Sequence, residues 1–581
     1  MQDRIASWRS RARLWGDRAA ARLAPLRAPR AGDLRLPEPR LAGDPTRGRR
    51  LLEGRIVLGG TEIALGGRSP WDLGGSADAA ALHGWAWLDD LAALGTAPAR
   101  TLAQGWVRDW ARRYGRGAGP GWTPSLATSR LLRLLGHGAL LMRGSDGLRE
   151  TDLARLAGRE AAFLRRRWRV AAGAAERIAA LHALVLGGLA LPAARPWAEG
   201  AARALGREAA RAVGPDGGIP SRSPEELLDV VEHLLGAVAA LERAGIAPDP
   251  ALGGAVARAA PVLRTLRHAD GGLARFHGGD RGEPGRLEAV LAAAGRPGHR
   301  TSAGGGLSMG YLRLAAGRTT VIADAAPPPA EREAAGAHAS TLAIEVTSGR
   351  RPLVVSCGPG RGFGPDWRRA ARATPSHSAL SLDGLSSARL GRHRPGEEGP
   401  RLEAPPRRVI AEITPLSEGL RAELAHDGWR ASHGLTCARV LRLSPDGRRL
   451  DGEDLLTTLT RADGVRLDAA LESSGRAGLP FAVRFHLHPD AEADLSGGAV
   501  VVGLRSGEEW LLTQDGAESV ALEPSVWLET GRPAPRPTLQ AVLGGRVRGP
   551  TTRLRWTLAK SDGTPLGLRD WAPDEPWEDE R

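Results

Sequence analysis

The sequence predicts a two-part fold in which a helical N-terminal half precedes an all-β C-terminal half. The chain has 581 residues, which is more than one hydrophobic core accommodates. Between about 75 and 295 apolar residues recur at helical spacing, and beyond about 300 they alternate with polar residues as in strands. Hydrophobic residues make up 42% of the chain and charged residues 25%, so a globular protein is expected.

Residues 1 to 70 are predicted to form an N-terminal arm with short elements. The opening stretch, MQDRIASWRSRARLWGDRAAARLAPLRAPR, carries charges throughout and lacks the apolar core of about 7 to 15 residues that a secretory signal needs. No uncharged apolar run of about 18 residues occurs elsewhere in the chain. The sequence therefore predicts neither an export signal nor a transmembrane segment, and it leaves a cytoplasmic location open.

Residues 71 to 300 are predicted to form a stack of helical hairpins, either an open solenoid or a closed toroid. The strongest helix is SPEELLDVVEHLLGAVAALERAG, in which Ser223 caps with Glu226, Pro224 starts the first turn and Gly245 ends the helix. Further helices are predicted near residues 78–94, 98–113, 124–142, 150–170, 175–191, 196–212 and 249–267.

Residues 301 to 581 are predicted to form an antiparallel β-sandwich or barrel. Segments such as STLAIEVTSGRRPLVVSCG and FAVRFHLHPD alternate apolar and polar residues or contain short apolar runs. The dipeptides SG, DG and GG between these segments are typical of tight turns. Many short strands joined by tight turns favour antiparallel pairing.

The net charge of +14 and the pI near 11.1 are compatible with a nucleic acid, a membrane surface or an acidic polymer as partner. Almost all of the positive charge is arginine, because Lys560 is the single lysine, and this composition is also typical of GC-rich coding bias. The sequence contains no recognised nucleic-acid-binding module, so no nucleic-acid partner is predicted.

Seven segments together carry a family resemblance: HGWAWLDDL (83–91), DGGIPSRSP (216–224), RHADGGLARFHGG (267–279), GYLRLAAGRTTVIADAAPPP (310–329), AHASTLAIEVTSGRRPLVVSCG (337–358), WRRAARATPSHSALSLDG (367–384) and RFHLHPD (484–490). With them the chain resembles the heparinase II/III family of polysaccharide lyases, in its alphaproteobacterial form. The resemblance implies an incomplete (α/α) toroid packed against an antiparallel β-sandwich, with a sugar-binding cleft between them. It also implies β-elimination of uronic-acid-containing glycans, an acidic polysaccharide partner, and a place in the cell envelope or periplasm.

Elimination at a uronate needs a cation for the carboxylate, a base for the C5 proton and an acid for the leaving oxygen. The resemblance implies that Arg222 neutralises the carboxylate, because arginine binds carboxylates bidentately. It further implies that His338 or His377 acts as base or orienter, and that Tyr311 or a water donates the leaving-group proton. The simpler alternatives are a solvated loop arginine, hydrogen-bonded structural histidines and a core tyrosine.

Asp216, His268 and Asp270 complete the predicted substrate-binding wall. Asp216 begins the DGG turn before the capped helix, and His268 and Asp270 lie at a helix end followed by a glycine loop. A histidine near a helix C-terminus also complements the helix dipole, so His268 has an alternative explanation.

The elimination chemistry requires no cofactor. The resemblance also implies a possible structural zinc ion, because some members of the heparinase II/III family bind one. His338, Cys357 and His377 are the candidate ligands here, with Ser356 at the place of the expected acidic ligand. The two cysteines, Cys357 and Cys437, allow at most one disulfide.

His486 and His488 lie two residues apart on a predicted strand and therefore point to one face. Metal binding is one interpretation of this spacing. Exposure of both side chains on the solvent face of a sandwich is the simpler expectation.

The predicted catalytic set is depleted. After Gly217, where the family places a histidine or tyrosine facing the cleft, this chain has Ile219, Pro220, Glu225 and Glu226. The sequence therefore predicts a lyase-like protein that cleaves or binds acidic glycans. The alternative is a catalytically silent glycan-binding or envelope-assembly protein, and the oligomeric state is open.

Overall fold

The structure is a computed structural model that describes residues 2–23, 32–38, 43–73, 82–295, 306–330, 333–392, 399–475, 477–565 and 568–571. Within these ranges the N-terminal part is helical and the C-terminal part contains two large antiparallel sheets, as the sequence predicts. The last helix of the N-terminal part ends at Ala293, and the first strand of the large sheets begins at Tyr311.

The described helices of the N-terminal part are α1 Gln2–Arg22, α2 Pro45–Leu52, α3 Ala86–Leu94, α4 Ala97–Arg113, α5 Pro124–Gly136, α6 Gly138–Met142, α7 Glu150–Arg167, α8 Ala174–Ala190, α9 Arg195–Ala212, α10 Pro224–Arg243, α11 Pro250–Thr265 and α12 Arg286–Ala293. Three short helices follow in the second half: α13 Pro365–Ala370, α14 Arg430–His433 and α15 Arg461–Ser473. A two-stranded hairpin, β1 Arg55–Leu58 with β2 Thr61–Ala64, lies after α2.

The remaining strands are β3 Tyr311–Ala316, β4 Thr319–Asp324, β5 Ile344–Ser348, β6 Arg351–Val355, β7 Leu380–Leu382, β8 Arg389–Leu390, β9 Leu402–Glu403, β10 Val409–Leu416, β11 Gly419–Trp429, β12 Leu435–Leu443, β13 Arg449–Thr457, β14 Leu479–Leu487, β15 Ala491–Ser496, β16 Ala499–Leu504, β17 Glu509–Asp515, β18 Ser519–Trp527, β19 Arg536–Val547 and β20 Thr551–Lys560. One large sheet has the order β10-β11-β12-β13-β20-β17-β16-β15. The other has the order β18-β19-β14-β6-β5-β4-β3, with β7 also paired to β14.

The two large sheets form one sandwich because their apolar faces share a core. Leu312, Val346 and Phe485 from one sheet and Leu441 and Trp556 from the other belong to the same buried cluster. The rings of Phe485 and Trp556 meet edge-on with centroids 4.8 Å apart. A second buried cluster fills the helical part and extends into the β half through Tyr311 of β3 and Ile322 of β4.

Helix α10 confirms the strongest local prediction. The Ser223 hydroxyl accepts a bond from the Glu226 N–H at 3.4 Å, Pro224 occupies the first turn, and the helix ends at Arg243 before Gly245 in left-handed conformation. The predicted helix near 124–142 is two helices, α5 and α6, separated at His137. The start predicted at residue 78 lies outside the described residues.

Candidate functional site

A cleft of about 2460 Å³ lies between the helical half and the sandwich. One wall contains the start of α10, with Glu225, Glu226 and Asp229. Arg361 and Arg532 come from loops of the β half. The cleft therefore presents both signs of charge.

Arg222 lies at the base of this junction in a left-handed backbone conformation, with φ 53°. Its Nη2 is 2.5 Å from Oδ1 of Asp324, and its guanidinium also donates to the carbonyls of Met309, Gly310, Ala326 and Pro327 at 2.7 to 3.1 Å. All of its nitrogens are thus bound by protein acceptors. The predicted role as a clamp for a sugar carboxylate has no free donor in this arrangement.

Tyr311 is fully buried on β3, with 0% of its surface exposed. Its hydroxyl donates to the carbonyl of Arg222 at 2.5 Å, and its ring lies 4.8 Å from the Arg222 guanidinium. Burial raises the pKa of Tyr311 well above its usual value. The side chain packs as part of the interdomain junction, which matches the core alternative rather than the proton donor that the resemblance implies.

Asp324, at the end of β4, is the centre of this network. Besides Arg222, it accepts a bond from the Ser340 hydroxyl at 2.7 Å and lies 3.4 Å from Nε2 of His277. Burial alone raises its pKa, but Arg222, His277 and Ser340 outweigh burial and hold that pKa well below the usual range. Sequence reasoning missed Asp324 and His277; a lone aspartate ending the apolar run VIAD was the available signal, because buried carboxylates need partners.

His338 and His377 do come together. Nδ1 of His338 lies 3.1 Å from Nε2 of His377, and Nδ1 of His377 lies 3.1 Å from the Ser356 hydroxyl. Burial, followed by neighbouring charges, lowers the pKa of His377 to about 3 and that of His338 well below its usual value. The lowered pKa values favour the neutral imidazoles and make both of them weak bases, and both side chains are buried, with His338 2% exposed.

The three predicted zinc ligands are not arranged as one set. Nδ1 of His338 faces Nε2 of His377, Nδ1 of His377 faces the Ser356 hydroxyl, and a serine does not replace the expected carboxylate ligand. Cys357 Sγ faces His486 Nδ1 at 3.6 Å. Across the part of the chain that the structure describes, no three His, Cys, Asp or Glu side chains are grouped to hold a metal ion.

The three predicted wall residues lie in different places. Asp216 is exposed and its Oδ1 accepts a turn bond from the Gly218 N–H at 3.2 Å. His268 is buried at the junction, where its Nε2 lies 3.1 Å from Glu345. Asp270 alone of the three lines the large cleft, and its carboxylate lies 3.3 Å from Arg281.

The expectation that His486 and His488 are exposed is wrong. His486 is 3% exposed and His488 is 6% exposed, because the strand face they share is covered. The ring of His488 meets Trp527 with centroids 4.7 Å apart. A sandwich strand next to a second domain loses its solvent face, which the alternation of residues alone does not reveal.

Comparisons with known proteins identify the family to which this architecture belongs. Residues 299–557 match the family described as Heparinase II/III-like, C-terminal. FtsZ-localized protein C of Caulobacter vibrioides is 32% identical over 535 residues, covering 90% of this chain and 89% of that protein. The chain belongs to the heparinase II/III-like family.

Solved structures of this family share the whole fold. The crystal structure of heparinase III matches with a TM-score of 0.67 at 13% identity, covering 96% of this chain and 90% of that chain. A mutant of heparan sulfate lyase HepC from Pedobacter heparinus matches with a TM-score of 0.53 at 15% identity, covering 96% and 89%. At these identities the likeness establishes the family's toroid and β-sandwich fold and leaves activity to the residues of the cleft.

Within the described ranges, none of the helices is both long and apolar enough to cross a bilayer.

Proposed function

We propose that this heparinase-fold protein is catalytically silent, localises with FtsZ, and binds a glycan in its interdomain cleft. Elimination needs a free cation for the uronate carboxylate and a proton donor for the leaving oxygen. One observation carries the proposal. Arg222 and Tyr311, the candidates for these two roles, both donate their hydrogen bonds to protein acceptors in one buried network. The neutral His338–His377 pair alone does not supply either role.

The FtsZ part of the proposal comes from the Caulobacter relative. That protein is described as FtsZ-localized, and its similarity to this chain extends over 90% of the chain, including both halves. We extend the localisation to this chain. A lyase-like periplasmic enzyme is the competing hypothesis.

The glycan part of the proposal comes from the cleft. Its volume of about 2460 Å³ exceeds that of a usual small-molecule pocket, about 300 to 1,000 Å³, and suits several sugar units. Arginines such as Arg361 suit a uronate carboxylate, while carboxylates such as Asp229 suit hydroxyl or amino groups. A polymer with acidic and neutral sugars fits this lining better than a uniformly acidic one.

A lyase assay tests the silent assignment. Purified protein is mixed with alginate and with heparan sulfate, and the ultraviolet absorbance of unsaturated uronate ends is followed, with heparinase III as positive control. We expect no rise in absorbance with this protein. A rise that disappears in the His338→Ala variant would establish an active lyase and overturn the proposal.

Binding and localisation test the other two parts. In fluorescence anisotropy with labelled uronate oligosaccharides, Arg361→Ala is expected to weaken binding about tenfold, as for one lost charge-assisted contact of about 1.4 kcal/mol. The remote, exposed Arg149→Ala is expected to leave the affinity unchanged.

A fluorescent fusion in the native host is expected to gather at FtsZ rings and to disperse when FtsZ is depleted. A diffuse fusion in cells with intact rings would reject the FtsZ assignment.

A further inference from the structure

We propose that Cys357 and His486 form a reactive thiol site that small peroxides oxidise to a sulfenic acid. Sγ of Cys357 lies 3.6 Å from Nδ1 of His486 and 3.9 Å from the Ser525 hydroxyl. The pair lies on the β14–β18 side of the sandwich, next to His377, and neither residue lines the large cleft. It is not part of the proposed glycan site.

The imidazole of His486 is oriented by its other nitrogen. Nε2 lies 2.8 Å from the Pro375 carbonyl, which can only accept, so Nε2 carries a proton. Nδ1 is thereby aimed at Cys357 Sγ and at the Ser525 hydroxyl, 2.7 Å away. A base held in this way beside a thiol is the arrangement found in thiol nucleophiles.

The surroundings of Cys357 and His486 favour a thiolate next to a protonated imidazole. Burial raises the pKa of the Cys357 thiol, but His486, Ser525 and Arg275 outweigh burial and lower it. Burial lowers the pKa of His486, but the Cys357 sulfur and the Pro375 carbonyl reverse the direction and raise it. A thiolate is the reactive form of cysteine, so a lowered pKa makes the Cys357 thiol more reactive than an ordinary buried one.

Cys437 provides an internal contrast. It lies on β12 inside the sandwich core, where burial, followed by the nearby Asp454 carboxylate, raises its pKa well above its usual value. Both cysteines are free thiols and differ chiefly in their neighbours. We therefore expect an oxidant to distinguish them.

The reaction balances with a hydroperoxide as the only co-reactant. The Cys357 thiolate attacks the outer oxygen of the peroxide, an S–O bond forms and the O–O bond breaks. The departing hydroxide or alkoxide takes the Nδ1 proton of His486 and leaves as water or an alcohol, so sulfur loses two electrons and the peroxide gains them. Cys357 is 4% exposed and its neighbours Ser525 and Pro375 are half-buried, which favours small oxidants.

The test treats native full-length protein with hydrogen peroxide in the presence of a dimedone-type sulfenate trap, followed by peptide mass spectrometry. We expect label on Cys357 and not on Cys437, and the same result in Cys437→Ser. His486→Asn is expected to slow the labelling of Cys357 at least about tenfold. His488→Asn, an equally buried change two residues away, is expected to leave the rate within about twofold.

A second measurement needs no variant. Alkylation of native Cys357 by iodoacetamide is expected to keep its rate down to a pH well below about 8.5, the pKa of an ordinary free cysteine. Labelling of Cys357 only after denaturation, equal rates for the two cysteines, or an ordinary thiol pH profile would each overturn the proposal. None of these outcomes depends on glycan binding or on FtsZ.

Discussion

At the level of single residues, Arg222 shows whether this position serves ligand binding or the stability of the fold. A guanidinium that faces an open cleft can bind a sugar carboxylate, whereas here Asp324 and four backbone carbonyls occupy it. The same side chain therefore ties the helical half to the sandwich. Its energetic contribution should appear in stability rather than in ligand affinity.

Replacing Arg222 by Met is expected to lower the free energy of unfolding by about 3–5 kcal/mol, because the Asp324 carboxylate is left buried without its partner. Chemical denaturation followed by circular dichroism measures this. The exposed Arg149→Met, which breaks only a surface pair with Asp152, is expected to cost at most about 1 kcal/mol. Equal effects of the two changes would contradict the structural role of Arg222.

Glu226 predicts a pH dependence of stability. Burial, with Glu333 and Asp229 nearby, raises its pKa from 4.5 to about 7, although bonds from Ser221 and the charge of Arg361 act in the other direction. The folded state therefore holds a proton that the unfolded state releases, so this contribution is full below about pH 4.5 and is lost as the pH rises through about 7.

We expect Glu226→Gln to flatten this part of the profile. Melting temperatures measured from about pH 5 to 8 should fall less steeply in the variant than in the original protein. Glu418→Gln, an exposed turn substitution, serves as the control and should leave the slope unchanged. A variant with the original slope would show that Glu226 titrates normally.

At the scale of elements, the turn before α10 sets the start of the cleft wall. Gly217 has a positive φ of 79°, and a Cβ there would lie 2.0 Å from the carbonyl oxygen of Arg258 in α11. The DGG motif is thus explained by a close approach between the turn and the next helix. The capped start of α10, with Glu225 and Glu226, follows directly from this turn.

Gly217→Ala is expected to lower the free energy of unfolding by about 2–5 kcal/mol, combining left-handed strain with a steric clash. Gly245→Ala provides a matched comparison, since Gly245 has a φ of 69° and nothing within 4 Å of the added Cβ. We expect that change to cost about 1–2 kcal/mol. If denaturation gives the same loss for both variants, the close approach to Arg258 has no energetic effect.

At the scale of the whole molecule, buried polar contacts join the two halves. His268 of the helical half meets Glu345 of β5 at 3.1 Å. Arg275 donates to the carbonyls of Ser356 and Leu528, and its guanidinium lies 3.5 Å from the ring centroid of Trp527. The apolar cluster of the helical half also reaches β3 and β4, so the two halves are expected to unfold together.

Arg275→Met is expected to divide the single calorimetric transition into two, because the coupling between the halves is weakened while each core remains intact. Arg439→Met removes a buried arginine whose partners, Asp454, Leu342 and Ser378, all lie in the β half. That variant should melt at a lower temperature in one transition. A single transition for Arg275→Met would show that other contacts couple the halves.

The local structure and the architecture follow from the amino-acid sequence. Periodicity, the Ser223 cap and the glycine turns act over a few residues, so helices such as α10 and the succession of strands were predictable, and the quoted motifs identified the family. The pairing of His338 with His377 was compatible with the motifs, but their proximity was not readable from spacing.

The partner that each buried polar side chain meets, by contrast, depends on how distant segments pack. Arg222 is bound by Asp324, 102 residues away along the chain, and Cys357 faces His486, 129 residues away, rather than the His338–His377 pair. Such contacts arise when β4, β14 and the loops around them are brought together by packing of distant segments. A buried charge or thiol takes its chemistry from these neighbours, and residue type and local spacing do not specify them.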